Sequence, residues 1–321
     1  MYQDHHLHFE GSVSFQALAK LLEKNSNQLL QTDVKRHFSH LFNRQTASDI
    51  QIILRKEKRD ILSYLTKRFV FKKPAKNLRE FISRLPTDVI RWSCLSVDDL
   101  EFLFTQSVKE YLKTHNDIEL LFCPRALENL SISEEEVVRL FNSIIKSKYS
   151  KKIRLVLSLR RDKGDLSLKY VKRCTQNYYL DCIKKIDISG DEGCSLSKFK
   201  ASLDVLSASR FKLSTHIGET SVNDIDFMLK NYPRFTQFNH GVYIFHDKGL
   251  VKIAKERNIY FTFCPLSSYY TGSMSKLQIK KVLSNFLKYD LNFSLGSDDP
   301  AIICGDLSTH WATIKKEGFI I

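Results

Sequence analysis

The 321-residue sequence predicts an α/β chain folded as a (β/α)8 barrel, and three observations carry that prediction. Eight short apolar runs of strand character recur along the chain, helix-periodic segments lie between them, and residues able to bind a metal or move a proton stand at the ends of four of the runs. Strands alternating with helices argue for parallel βα units, and eight such units can close a barrel. The length suits one domain, since barrels of this kind run to about 250 residues and beyond.

The first run is "HHLHF" (5–9), at the very start of the chain. The others are "IELLFC" (118–123), "IRLVLSL" (153–159), "KIDIS" (185–189), "RFKLSTHI" (210–217), "RFTQFN" (234–239), "IYFTFC" (259–264) and "LNFSLGS" (291–297). Among the intervening helices, "SEEEVVRLFNSIIK" (133–146) opens with Ser133 three residues before Glu136, the spacing of a capping box. About 110 residues part the first run from the second, far beyond an ordinary βα connection. Residues 14–117 read as a helical insertion. "FQALAKLLEK" puts Phe15, Leu18, Leu21 and Leu22 on one face, and "SVDDLEFLFTQSVKEYL" repeats that period behind Ser96 and Asp99. An insertion after a barrel strand emerges on the catalytic rim, so this one is expected to form a lid. Only residues 301–321 follow Pro300, so the last helix is expected to be shortened, and barrel closure to be weakened or to need another subunit.

Composition narrows the classes. No apolar run approaches the ~20 residues of a membrane span, and the polar opening "MYQDHH" does not read as a signal peptide. The seven cysteines are scattered, odd in number and free of CxxC pairs, which predicts reduced thiols and a cytoplasmic chain. The net charge of +14 is spread over groups such as "RKEKR" (55–59), "KRFVFKK" (67–73), "KSKYSKK" (146–152) and "KLQIKK" (276–281). No recognised nucleic-acid-binding signature accompanies it, so it reads as a solvated basic surface with no nucleic-acid partner. The oligomeric state is not legible.

"DHHLHFEG" (4–11) concentrates the chemistry. On a strand, residues two apart share a face, so His6 and His8 can converge on one metal while His5 is expected to point away. A single histidine is more often an ordinary core or surface imidazole. Here, however, His216 and Glu219 in "STHIGE", His240 in "FNHG", and Asp298 and Asp299 in "GSDDP" end three further strands, and in a barrel those ends face one cavity. Three imidazoles and a carboxylate suit Zn²⁺ or a similar borderline ion with a position left for water, which the metal would acidify into a nucleophile.

"HLHFEG", "HIGE", "NHG", "CPLSS" and "SDDPA", in this order and at these spacings, resemble the signature blocks of the adenosine/adenine deaminase family of metal-dependent amidohydrolases. "IELLFCPRAL" (118–127) and "IDISGDE" (186–192) resemble its intervening strands, and the resemblance runs from His6 to about Gly305. It implies a single deaminase domain over 1–321 with one Zn²⁺ per chain held by His6, His8, His216 and Asp298. It further implies that His240 orients the metal-bound water and takes its proton, that Glu219 protonates purine N1, that Asp299 hydrogen-bonds N7, and that the Gly190 N–H reaches N3. The implied reaction is hydrolytic deamination of a 6-aminopurine, adenosine to inosine or adenine to hypoxanthine, releasing ammonia. Glu10, placed at the ribose, stands where animal-type adenosine deaminases tend to carry Asp, and with "CPLS" and "SDDPA" it leans toward the adenine branch. Two alternatives stand beside this reading: a deaminase of another or modified aminopurine nucleoside, and a catalytically weakened relative binding RNA or another polyanion. The second is disfavoured because a binding module has no need of all seven site residues. The sequence departs from the family pattern at Ile217, where alanine is usual, and at Ser268, where asparagine is common.

Overall fold

The computed structural model describes residues 2–34, 38, 41–56, 60–176, 183–304, 307–316 and 318. Eight strands, β1 (Tyr2–His8), β2 (His115–Phe122), β3 (Ile153–Arg160), β4 (Lys185–Ser189), β5 (Lys212–Ile217), β6 (Phe235–His240), β7 (Tyr260–Phe263) and β8 (Asn292–Leu295), lie side by side in chain order, every pair parallel. The ring closes just beyond β8, where Leu7 bridges Asp298: the His8 N–H donates to the Asp298 carbonyl (2.9 Å) and the Asp298 N–H to the His6 carbonyl (2.8 Å). The predicted (β/α)8 barrel is therefore the observed one.

The short apolar runs become strands because alternate residues serve two surroundings. In β2, Ile118, Leu120 and Phe122 are fully buried toward the helical layer, while Glu119 between them meets Lys185 of β4 in the lumen. Burial of each such apolar side chain contributes roughly 1.5–3 kcal/mol. Strict alternation fails in β1. Asp4 pairs with Ile118 and Leu7 with Leu120, so β1 spends three residues where β2 spends two. The extra residue is a bulge that turns both His5 and His6 inward. His5 does not point away as alternation predicts; its Nδ1 lies 2.9 Å from the Tyr260 hydroxyl and its Nε2 3.5 Å from Asp117, contacts spanning β7 and β2 on the barrel floor.

Between β1 and β2 the described residues contain seven helices: Phe15–Lys24, Ser26–Gln31, Leu41–Leu54, Ile61–Phe69, Leu78–Ser83, Thr87–Ser93 and Val97–Tyr111. Ser14 and Ser96 cap the first and last of them, accepting from the Ala17 and Asp99 N–H groups, and Ser133 and Glu136 form the predicted capping box. The insertion is stitched to the rim by the Phe71 N–H to the Ile302 carbonyl, the Ala75 N–H to the Tyr270 carbonyl (2.8 Å each), and an Arg79–Asp191 ion pair.

At the other end, the helix Leu307–Lys316 packs on the starts of β1 and β2. Trp311 stacks on Tyr2 and donates its indole N–H to His115 Nε2 (2.8 Å). The expected weakening of closure is thus not seen at this seam. No helix among the described residues is long and apolar enough to cross a membrane. The six described cysteines are free thiols, and Cys182 lies outside the described residues.

Candidate active site

The C-terminal ends of β1, β5 and β6 and the segment after β8 bring four histidines and Asp298 to one point. Ring centroids of His6 and His216 are 4.6 Å apart, those of His8 and His216 5.0 Å, and those of His240 with either His6 or His216 5.3 Å. Asp298 Oδ1 lies 3.3 Å from His6 Nε2 and 3.5 Å from His8 Nε2. One donor atom each from His6, His216, His240 and Asp298 lies within 4.8 Å of all the others. His240, expected from the sequence to stand beside the metal, is thus as near the centre as the expected ligands. Both His240 and Asp298 adopt left-handed backbone (φ 65° and 62°), a conformation costly to non-glycine residues that recurs at functional sites.

The donor set fits a divalent cation. The Asp187 carboxylate can only accept, so His216 Nδ1 donates to it (2.8 Å), and the His216 Nε2 lone pair faces His8 Nε2 at 3.0 Å. Among the described residues, buried His6 has no hydrogen-bond partner on either ring nitrogen, and His240 Nδ1 has none. Orphaned imidazole nitrogens converging beside a carboxylate are unfavourable unless a cation satisfies them. Burial drives His8 down to about 3 and His240 down to about 4, so both are neutral and able to donate a lone pair at pH 7. Burial opposes ionisation of Asp298, but the close approach of His6 and of the neighbouring imidazoles holds it well below the usual carboxylate range.

A second group of carboxyls is tuned the other way. Burial, reinforced by the charges of Asp298 and Glu192, pushes Glu219 up to about 8, so it keeps its proton at neutral pH. Its Oε2 lies 3.8 Å from His240 Nε2, and its buried Oε1 has no partner. Burial and the adjacent Asp298 charge likewise raise Asp299 well above the carboxylate range, and its Oδ1 is unpartnered. Asp299 sits over Gly11, where any Cβ would overlap its carboxyl group. Glu10 accepts the Cys123 N–H at Oε1 (2.7 Å), and burial pushes it up to about 7. Gly190 has φ 94°, and a Cβ there would overlap Asp162; it lines the same cavity. The cavity is lined by these residues and by Leu78, Phe81, Ile82 and Leu85 of the insertion, which form an apolar wall suited to a flat ring.

The structure thus gathers every residue the sequence singled out, and adds several it did not. Asp187 also accepts from Ser214 (2.7 Å) and Asn239 (2.7 Å), and an acid inside the apolar run "KIDIS" was a readable signal. Ser267 donates to Asp298 Oδ2 (2.5 Å). Fully buried Arg161 pairs with Asp224 (3.0 Å) and holds the His216 carbonyl. Glu192 grips the loop that carries Glu219, accepting from the N–H groups of Glu219 (3.0 Å), Thr220 (2.7 Å) and Ser221 (3.2 Å). Nothing in the sequence marked Arg161 or Glu192 for these tasks.

A parallel (β/α)8 barrel that converges imidazoles and carboxylates at its C-terminal rim defines a metal-capable barrel. The chain belongs to the adenosine deaminase family, whose model matches residues 2–319. It is 26% identical to the adenosine deaminase of Danio rerio over 191 residues, 58% of this chain and 53% of that one, so it spans about half the length of such curated relatives. Its fold is similar to that of the adenine deaminase of Arthrobacter aurescens (TM-score 0.72, 18% identity, 98% of this chain and 86% of that one). It is equally similar to a zinc-bound amidohydrolase of Burkholderia ambifaria (TM-score 0.72, 17% identity, 98% and 79%).

Proposed function

We propose that the chain is a zinc-dependent hydrolytic deaminase of 6-aminopurines, converting adenosine to inosine or adenine to hypoxanthine and releasing ammonia. The observation that carries this reading is a buried, neutral and partner-poor set of imidazoles with Asp298, standing beside a carboxyl group, Glu219, that keeps its proton at pH 7. His6, His8, His216 and Asp298 would hold the zinc; bound there, it supplies the Lewis acidity that makes water nucleophilic near neutral pH.

The remaining steps belong to the chain's own side chains. Neutral His240 accepts the proton of the attacking water. Glu219 donates its proton to ring N1, which draws electrons from C6 and lets that carbon accept the nucleophile. The C6–N bond then breaks: the proton held by His240 passes to the amino group, which leaves as ammonia, and C6 keeps the oxygen, whose remaining proton returns to the Glu219 carboxylate. Protonated Asp299 donates to N7 and the Gly190 N–H to N3, fixing the ring, while Leu78, Phe81, Ile82 and Leu85 exclude water from its face. In this reading residues 1–321 form one deaminase domain, 14–117 are its lid, the partner is a small purine, and the chain works in the cytoplasm.

Substrate choice centres on Glu10. Its Oε1 is committed to the Cys123 N–H, leaving Oε2 to meet a ribose hydroxyl or stay solvated. A site built around a ribose hydrogen bond rejects the bare base strongly. The test is ammonia release from adenine, adenosine and adenosine 5′-monophosphate with zinc-loaded and chelated protein. Zinc-dependent turnover of adenine or adenosine supports the proposal; zinc-loaded protein that turns over none of the three contradicts it.

A further inference from the structure

Two of the barrel strands carry polar residues at inward positions, where a barrel lumen is ordinarily filled by branched apolar side chains. In "KIDIS" they are Lys185 and Asp187, and in "FTQFNH" Gln237 and Asn239, two apart in each case and so on one face of β4 and of β6. Lys185, Asp187 and Asn239 are buried and Gln237 is half-buried. Groups of this kind destabilise a fold unless each is paired, and apolar side chains of similar volume often serve stability as well or better. Here they are paired, and in one direction.

The chain of hydrogen bonds starts at the barrel floor, where Lys185 Nζ donates to Glu119 Oε2 (2.5 Å) and to Gln237 Oε1 (2.6 Å). Gln237 Nε2 donates to Asn239 Oδ1 (3.0 Å), which also accepts from the Thr262 hydroxyl (2.6 Å), and Asn239 Nδ2 donates to Asp187 Oδ1 (2.7 Å). Ser214 donates to the same oxygen (2.7 Å), and the other, Oδ2, is turned to His216 Nδ1 (2.8 Å). An ammonium only donates and a carboxylate only accepts, so the two ends of the chain agree on its direction. Turning Gln237 over would set its amide N–H groups against the ammonium and its oxygen against Asn239 Oδ1. Turning Asn239 over would set its oxygen against the Asp187 carboxylate. Either leaves buried polar atoms unpaired, which is costly in a low-dielectric lumen.

We infer that Lys185 and Gln237 are positioning residues for the metal site: through Asn239 they hold the Asp187 carboxylate turned so that His216 keeps its hydrogen on Nδ1 and its Nε2 lone pair toward the metal position. The inference rests on the metal site proposed above. Lys185 and Gln237 stand outside the lining of the catalytic cavity and act on it through this chain of donors.

The test compares the full-length wild type with Q237E, K185M and K185R. Q237E keeps an acceptor for Lys185 but sets a carboxylate oxygen against Asn239 Oδ1, K185M removes the donor that orients Gln237, and K185R keeps one. Two quantities are read at pH 7. One is zinc affinity, by competition with a chromophoric chelator; the other is the ring-nitrogen chemical shifts of metal-free protein labelled in histidine, with the His216 signals assigned by their loss in H216Q. Zinc affinity is expected to fall about tenfold in Q237E and about three- to fivefold in K185M, and to stay near the wild-type value in K185R. In the two weakened variants the His216 signals move from the Nδ1–H form toward a mixture of tautomers. A network that only holds the barrel together would lower the melting temperature and leave the tautomer unchanged.

The inference is overturned if Q237E and K185M bind zinc as tightly as the wild type, or if they lose affinity while His216 keeps the Nδ1–H form. It is also overturned if metal-free wild type carries the His216 hydrogen on Nε2, a result that needs no variant to fold. A wild type that binds no zinc overturns the metal site itself, whereas a wild type that binds it, with affinity unchanged in Q237E and K185M, overturns this inference alone.

Discussion

Asp187 fixes which nitrogen of His216 carries hydrogen, and so decides that a lone pair faces the metal position. Asp187→Asn can present an amide N–H to His216 Nδ1, which favours the wrong tautomer. Metal affinity is expected to fall about 10- to 100-fold, read by competition with a chromophoric chelator; unchanged affinity would remove Asp187 from the account. His5→Ala should leave metal content unchanged, because His5 engages Tyr260 and Asp117 on the floor; its loss of metal would show that the bulge is misread. Glu219 carries a pH signature. Its folded-state value of about 8 lies above its ordinary 4.5, so the protonated carboxyl favours the fold. That stability is fully present below pH 4.5 and is lost as pH rises through about 8. Metal-free wild type should therefore lose stability across this window in denaturant titrations, and Glu219→Gln should flatten the decline. A variant that declines just as steeply would show that Glu219 is not the titrating group.

At the scale of elements, the eight strands were legible because each is a short apolar run bounded by polar residues, and the helix starts at Ser14, Ser96 and Ser133 because capping side chains announce themselves. The bulge in β1 was not legible. It arises from pairing with β2, more than a hundred residues away, and no local signal in "DHHLHF" encodes it. The role of Glu192 was hidden for a related reason: its four acceptor contacts reach a loop from a different strand. The helix Leu78–Ser83 supplies the apolar wall of the cavity. Replacing Ile82 with Ser removes apolar surface from that wall, and its worth of roughly 1–2 kcal/mol should appear as about a tenfold rise in KM with little change in kcat. A fall in kcat with unchanged KM would mean that the wall acts on the chemistry and not on binding.

For the molecule as a whole, the barrel's closure and the site are one feature. The bridge that seals β1 to the end of the sheet is made by Leu7 and Asp298, between ligand candidates on both sides of the seam. A cation drawing on β1, β5 and the segment after β8 would cross-link that seam, so metal loading should stabilise the native state by about 4 kcal/mol at a thousandfold excess over Kd. A melting temperature unmoved by zinc would separate the two. The net charge was legible as a number, but which cations meet in space was not, because Lys146, Lys185 and Lys212 come from distant stretches of the chain.

The most direct test of the central claim is to measure zinc content and ammonia release side by side in the wild type and in Glu219→Gln. The account expects equal zinc, near one ion per chain, with turnover reduced about 100-fold or more, because the substitution removes a proton donor and leaves the ligands in place. Zinc lost together with turnover would make Glu219 a ligand, and turnover retained with zinc bound would remove it from the chemistry; either result would contradict the site as described.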